Sequence, residues 1–317
     1  MTDEQISAIM ETKTTNALSS DHDERLGRAL LSLDGLSVGD GFGQWFLLDT
    51  GSFVERIHRR EAPPPPWIVT DDTAMAVSIV RILRRFGRID QDALASGFAE
   101  EYVREPDRGY GRMAHIILRS IHQGLLWREA ARRAFDGQGS CGNGGAMRSA
   151  PIGAYFADDY DRVICEAKLS AEVTHAHPDG QTGAVAVALA AAWMIAEHKP
   201  GTKRSFELIE FELERLPHTE TYYRLKDALN VPFDQSPLTA AEVLGNGLQV
   251  IASDTVPFCL WCVARHADSF MDALWATVGA FGDIDTTCAI VGGIVASGKT
   301  SDGIPADWLK SREFIEI

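Results

Sequence analysis

Two short segments near opposite ends of the chain carry the same chemistry in the same setting. Thr70-Asp71-Asp72 and Asp283-Ile284-Asp285-Thr286 each place two carboxylates and a threonine hydroxyl where an apolar helical pattern begins. Neighbouring carboxylates repel, so each segment needs an explanation. Taken alone, the first reads as capping, with Thr70 or Asp71 as N-cap and Asp72 in the first turn, worth about 1 kcal/mol. The alternative is ligation of a hard divalent cation by hydroxyl and carboxylate oxygens. If the two helix entrances meet in space, four carboxylates and two hydroxyls surround one cavity. Such a charge density is tolerable only with bound cations, and two ions would balance it. Asp158-Asp159 is the contrast: no threonine precedes it and no second cluster matches it, so it reads as a solvated turn.

Around these segments the pattern is helical. Ala, Leu, Glu and Arg dominate, and apolar residues recur three and four apart, while strand signals are scarce. The spacing predicts helices over 72–86, 90–104, 114–123, 127–134, 148–156, 160–173, 180–197, 203–214, 222–229, 239–251, 256–266, 269–280 and 285–297. Gly and Pro punctuate them at 63–66, 137–145, 178–180, 200–201 and 303–305, none long enough for a domain linker. The Pro63 to Pro66 run is expected to stiffen the approach to Trp67. At 45% hydrophobic residues, the 317-residue chain has material for a large core. An all-α fold follows.

Ser140-Cys141-Gly142-Asn143-Gly144-Gly145-Ala146-Met147-Arg148 is a glycine-rich loop ahead of a helix. Its backbone N–H groups suit a diphosphate, and a plain turn is the equal alternative. Thr174-His175-Ala176-His177 offers a histidine pair better read as a hydrogen-bonding group than as a metal site. Gly293 to Thr300 matches the phosphate-loop pattern letter for letter, but an apolar helix leads into it where a strand is required. Gly137 to Gly142 fits the dinucleotide fingerprint with no strand before it.

Further function classes drop out on composition. With 45 Asp plus Glu against 30 Lys plus Arg, the charge of −15 disfavours nucleic acid and anionic membranes as main partners. Five scattered cysteines argue against a disulfide framework, and Cys259 and Cys262 read as core residues. The polar opening from Met1 to Asp21 has no secretory apolar core, which predicts a cytoplasmic protein. The apolar run from Ala184 to Ala196 is short for a membrane span and reads as a buried helix.

Five segments in this order resemble the ADP-ribosylglycohydrolase family, which includes the dinitrogenase reductase-activating glycohydrolases. They are Gly35 to Gly43, Thr70 to Thr73, Gly142 to Arg148, Thr174-His175 and Gly282 to Thr287. The resemblance implies a compact orthogonal multi-helix bundle, with residues 25–317 as one domain behind a polar extension at 1–24. It also implies a binuclear Mg²⁺ (or Mn²⁺) centre that hydrolyses the bond joining ADP-ribose to a protein side chain, arginine first among the linkages. Thr70, Asp71, Asp72, Asp283, Asp285 and Thr286 would be the metal ligands, with Asp72 or Asp285 nearest to proton transfer. Gly142, Asn143, Gly144 and Met147 would hold the ADP-ribose, with His175 near its phosphates.

One position departs from the family. Counting eight residues from Gly39, where many members carry a glutamate, lands on Leu47, which can neither ligate metal nor move a proton. Either Gln44, Asp49 or Glu55 substitutes, or hydrolysis is altered and the role is ADP-ribose binding. In the binding alternative the chain neutralises an ADP-ribosylating toxin, with acidic residues 1–25 as a docking arm. An ADP-ribosylated protein or a free ADP-ribose conjugate is the expected partner in the hydrolytic reading.

Overall fold

The computed structural model describes residues 20–48, 53–201, 205–298, 300 and 302–317. Most of the 1–24 extension, Asp49, Lys203 and Lys299 lie outside the described residues. Among those residues there are sixteen α-helices and no strand, only two isolated bridges, Trp67 with Arg312 and Gly142 with Ile251.

The longest helix, α1, spans His22–Leu48 and carries five glycines, Gly27, Gly35, Gly39, Gly41 and Gly43. Each glycine costs a helix about 1 kcal/mol relative to alanine, which is why periodicity and propensity alone do not predict this element. A partner helix accounts for three of them, Gly35, Gly39 and Gly43. The helix numbered α15 (Ile284–Ser297) runs antiparallel against α1. A Cβ on Gly35 would lie 2.4 Å from Gly292 O, one on Gly39 2.0 Å from Cys288 O, and one on Gly43 2.8 Å from Asp285 Cα. Glycines four apart form one stripe of the helix, and along it the two backbones touch.

The remaining helices enclose this pair. They are α2 (Phe53–Arg59), α3 (Asp71–Phe86), α4 (Gln91–Arg104), α5 (Arg112–His122), α6 (Trp127–Arg133), α7 (Ala150–Tyr155), α8 (Tyr160–Glu172) and α9 (Pro178–Ala196). Beyond them come α10 (Glu207–Leu213), α11 (Glu220–Asp227), α12 (Pro237–Leu244), α13 (Ala252–His266), α14 (Phe270–Val278) and α16 (Ala306–Ser311). A continuous buried cluster takes residues from Ala29 to Trp308. In it Phe42 stacks on Trp308 at 4.8 Å and meets Trp275 edge-on at 5.0 Å. Trp67 donates from its indole to Pro63 O (3.0 Å), and its backbone exchanges hydrogen bonds with Ser311 O and Glu313 N, tying the proline run to the chain's end. Helix α9 passes a membrane-span test by length and composition, yet 72% of its apolar window is buried in the fold. All five cysteines are free thiols, and Cys259 and Cys262 are fully buried.

Several predicted bounds are corrected. The helix expected over 239–251 stops at Leu244, because Gly245 (φ 91°) and Gly247 (φ 85°) turn the chain into a loop. The helix expected from Arg148 starts at Ala150, after a 3₁₀ turn over Asn143–Gly145. Helix α13 starts at Ala252 and not at Val256, so Pro257 falls in its second turn. Asp158 and Asp159 are more than a solvated turn: Asp159 caps α8 through Arg162 N, and Asp158 pairs with Arg28 at 2.5 Å. In the phosphate-loop lookalike, Gly293 to Ser297 is buried helix.

Glu212 on α10 is fully buried with no hydrogen-bond partner for either carboxylate oxygen. Burial raises its pKa well above the usual carboxylate range, with Arg215 opposing. A folded pKa above the unfolded one gives stability that is present below about pH 4 and lost as pH rises through the folded value.

Two outcomes are expected. Gly39→Ala should lower the denaturant midpoint by the equivalent of about 2–4 kcal/mol through backbone overlap, while Gly27→Ala, which meets nothing within 4 Å, should be neutral or stabilising by up to about 1 kcal/mol. Equal effects of the two substitutions would show that backbone contact at Gly39 does not hold the two helices together. Glu212→Gln should gain stability over wild type, and the gap should widen from about pH 5 to about pH 8; a pH-independent gap contradicts the assignment.

Candidate active site

The site forms where the first turns of α3 and α15 face each other across the end of the glycine seam. Thr70 caps α3 with extended backbone, its hydroxyl accepting from Asp72 N at 3.4 Å. The same hydroxyl reaches Asp72 Oδ2 at 2.9 Å, and Thr286 Oγ1 approaches that oxygen from α15 at 3.4 Å. Capping and clustering are therefore both present.

The residue that holds the first turn of α3 is Asp40, which sequence reasoning did not single out. It lies on α1, has no exposed surface, and accepts four hydrogen bonds: Thr70 N (2.9 Å), Thr70 Oγ1 (2.9 Å), Thr73 N (3.1 Å) and Thr73 Oγ1 (2.5 Å). A carboxylate buried among glycines in a helix interior was the available signal, since such a charge requires donors from elsewhere.

Asp40 and Asp72 are buried, whereas Asp71, Asp283 and Asp285 are half-buried and form the accessible side of the cluster. All five titrate upward. Burial, partly offset by the Thr73 and Thr70 bonds, moves Asp40 up to about 6. Burial and the charges of Asp285 and Asp40 raise Asp71, and burial with Asp40 and Asp285 raises Asp72. Asp283 goes up to about 7 through burial and Asp285, and Asp285 to about 6 through burial and Asp40. Asp72 Oδ1 and Asp285 Oδ1 are buried without a partner.

Among the described residues, no group of three or more His, Cys, Asp or Glu side chains is already closed into an ion-binding cluster. The donor chemistry nonetheless fits a hard cation: hydroxyl and carboxylate oxygens, two of them orphaned, on opposed helix entrances. The residues converge as a set, and the closed binuclear geometry expected from the resemblance is not preformed.

The glycine loop joins the cluster directly. Asn143 Nδ2 donates to Asp283 Oδ2 at 2.7 Å and to Thr255 Oγ1 at 3.1 Å. The N–H groups of Gly142 and Asn143 are already engaged, by Ser140 Oγ and Val250 O. Gly144 is half-buried beside the His175 ring and Met147 is buried behind it. His175 donates or accepts at Thr174 Oγ1 (2.7 Å), and burial together with Arg148 pushes its pKa down to about 3, so the ring is neutral. It underlies the loop: a Cβ on Gly142, Gly144 or Gly180 would come within 3.2–3.3 Å of it.

Two further supports lie beyond the expected residues. Arg148, fully buried, bonds Ser170 O and Thr174 Oγ1 and lies over the Phe98 ring at 4.4 Å; burial brings it down to about 9. The loop after Gly245 binds both halves of the site, since Asp283 N donates to Asn246 O and Asn143 N to Val250 O. Val250 adopts φ 56°, which is strained for a β-branched residue.

Leu47 is exposed on the last turn of α1. Of the residues proposed to replace the family glutamate, Asp49 is outside the described residues and Glu55 is exposed and paired with Arg59 at 2.6 Å. Gln44 is half-buried and follows Gly43, whose backbone lies against Asp285. A separate cavity of about 830 Å³, lined in part by Trp193, His198 and Asp268, sits at the opposite ends of α9 and α13 and is not this site.

The scaffold is all-helical, and its opposed helix entrances carry an acid–threonine cluster beside a glycine loop. The ADP-ribosylglycohydrolase family model matches residues 21–316, and the chain belongs to that family. It is 29% identical to ADP-ribosylhydrolase ARH3 of Homo sapiens, covering 90% of this chain and 88% of the relative. It is 26% identical to ADP-ribosyl-[dinitrogen reductase] glycohydrolase of Rhodospirillum rubrum, covering 91% and 90%. A solved structure described as an ADP-ribosylglycohydrolase-related protein complex superposes with a TM-score of 0.66 at 24% identity, over 92% of this chain and 94% of that one, and shows the same fold.

Asp40→Asn should place an amide N–H₂ among four donors. The expected result is a loss of about 3 kcal/mol or more in denaturant unfolding. Wild-type stability in this variant would show that Asp40 does not organise the α3 turn.

Proposed function

We propose that the chain hydrolyses the bond between ADP-ribose and a protein side chain, with arginine as the first linkage, and that two divalent cations, Mg²⁺ or Mn²⁺, serve the site. The observation that carries this reading is the convergence of Thr70, Asp71 and Asp72 with Asp283, Asp285 and Thr286, joined to the glycine loop through the Asn143–Asp283 bond. Family membership supports removal of ADP-ribose as the reaction class.

Thr70, Asp71, Asp72, Asp283, Asp285 and Thr286 would hold the cations. When bound, divalent cations stabilise developing negative charge and bring water to a reacting centre at neutral pH. The chain's own groups do the rest. Gly142 to Met147 orient the ADP-ribose, with Asn143 fixing the loop relative to Asp283 and neutral His175 fixing it from beneath. Asp285, half-buried on the accessible side of the cluster, is placed to accept a proton from an attacking water. Asp72, more deeply buried, is the alternative proton acceptor.

Exposed Leu47 in the position of the family glutamate favours a second reading, ADP-ribose binding with altered hydrolysis, in which residues 1–25 dock on an ADP-ribosylating toxin. One assay separates the two. Incubation of arginine-ADP-ribosylated protein with the chain and Mg²⁺ should release free ADP-ribose, and chelation should stop it. Asp72→Asn and Asp285→Asn should each slow release by about 100-fold or more while leaving the fold intact. Label that persists with folded wild-type protein would refute hydrolysis and leave binding. Arginine-linked, serine-linked and O-acetyl substrates assayed side by side assign the linkage.

A further inference from the structure

In a chain where acids outnumber bases 45 to 30, the stretch from Arg112 to Arg133 reverses the balance, with five arginines and the single acid Glu129. Arginines elsewhere find carboxylates: Arg28 with Asp158, Arg60 with Asp272, Arg81 with Glu101, Arg162 with Glu166. Within this stretch Arg133 pairs with Glu129, and Arg128 lies over Trp127 with Asp92 at 3.5 Å. Among the described residues no carboxylate comes within ion-pair distance of Arg112, Arg119 or Arg132, and all three are exposed.

These arginines ride on one structural unit. Helices α5 and α6 pack through a small cluster of their own, Ile117 with Ala130 and Ala134. A surface groove of about 540 Å³ runs along α6, with Leu126, Arg128, Arg132 and Arg133 in its wall beside Glu129 and Asp136, a net positive lining. Leu126 is 72% exposed, and Ile116 and Phe135 are about half exposed, so apolar surface alternates with positive charge.

Both ends of the unit are fastened to the candidate active site. Before α5, Arg108 O accepts from Asp71 N at 2.7 Å, and Gly109 lies against the Asp71 carboxylate. After α6, Gly139 packs on the Ala176–His177 backbone, and the loop of Gly142 and Asn143 follows. A polypeptide whose modified side chain occupies the site therefore has its flanking residues beside α5 and α6.

We propose that the α5–α6 unit docks an acidic, partly apolar polypeptide segment flanking the modified residue; the position of the segment rests on the reading given under Proposed function. Charge complementarity selects an acidic occupant. Length selects a short one: α5 is about 16 Å long, room for about five residues of extended chain. A long polyphosphate strand would run off the patch onto a protein whose remaining charge is more negative than −15.

The test uses the full chain and a fluorescein-labelled twelve-residue peptide of Glu, Asp and Leu, with a Gln/Asn/Leu peptide of the same length as control. Fluorescence anisotropy at low salt should show the acidic peptide binding ~10-fold more tightly, with the preference lost at high salt and in R112E/R128E/R132E. Charge-neutralised R112Q/R128Q/R132Q should lose part of it. Equal binding of the two peptides overturns the proposal, as does an unchanged preference in either folded variant. Tighter binding of a single-stranded DNA twelve-mer through the same arginines overturns the polypeptide assignment. With ADP-ribosylated versions of both peptides, KM should be lower for the acidic one at equal kcat, and the substitutions should leave turnover of a free ADP-ribose conjugate unchanged. Absence of turnover on every substrate would count against hydrolysis alone, because unmodified-peptide binding still decides the docking surface.

Discussion

The close approach of α1 and α15 is the contact on which the remainder of the architecture depends. Side chains normally keep helix axes 8–10 Å apart. Here Gly35, Gly39 and Gly43 remove the intervening Cβ atoms, and the backbones meet at Gly292, Cys288 and Asp285. The helical cost of those glycines is offset by burial of a continuous apolar surface on both helices. The geometric result is that Asp40 and Asp285, on different helices, come to the same end of the seam.

From there the site is assembled by hydrogen bonds to charge. Asp40 takes four donors from Thr70 and Thr73 and so orients the first turn of α3. Asp283 takes Asn143 and orients the glycine loop. Without cations the arrangement is electrostatically tense, since five carboxylates all titrate upward and two buried oxygens have no partner. That tension is a cost to the fold, and a cation that neutralised the cluster would stabilise the folded state, because the unfolded chain does not assemble the five carboxylates.

What could be read from the residues divides by the range of the interaction. Thr70 to Asp72 and Asp283 to Thr286 were legible because helix entrances have a local chemistry. The helices α3 and α8 are legible because their apolar residues recur at helical spacing, and α9 because an unbroken Ala-rich run is apolar on every side. By the same local logic α1 is not predicted from its residues, since its glycines speak against a helix until α15 is beside them. Apolar spacing predicts a helix over 239–251 because it continues past Gly245, whose φ of 91° ends α12. Asp40, Arg148 and the Asn246–Val250 loop act only through residues distant in sequence, so no local pattern marked their roles.

The chain by itself therefore determined an all-helical fold, the acid–threonine chemistry of two helix entrances and the glycine loop, because each is written in residues within a turn or two of one another. Tertiary structure alone decided that the two entrances face each other, that Asp40 fastens one of them, that Asn143 ties the loop to Asp283, and that His175 is a neutral support. Those facts depend on how closely two helices can approach and on how deeply a charge is buried, quantities that exist only once distant segments have packed.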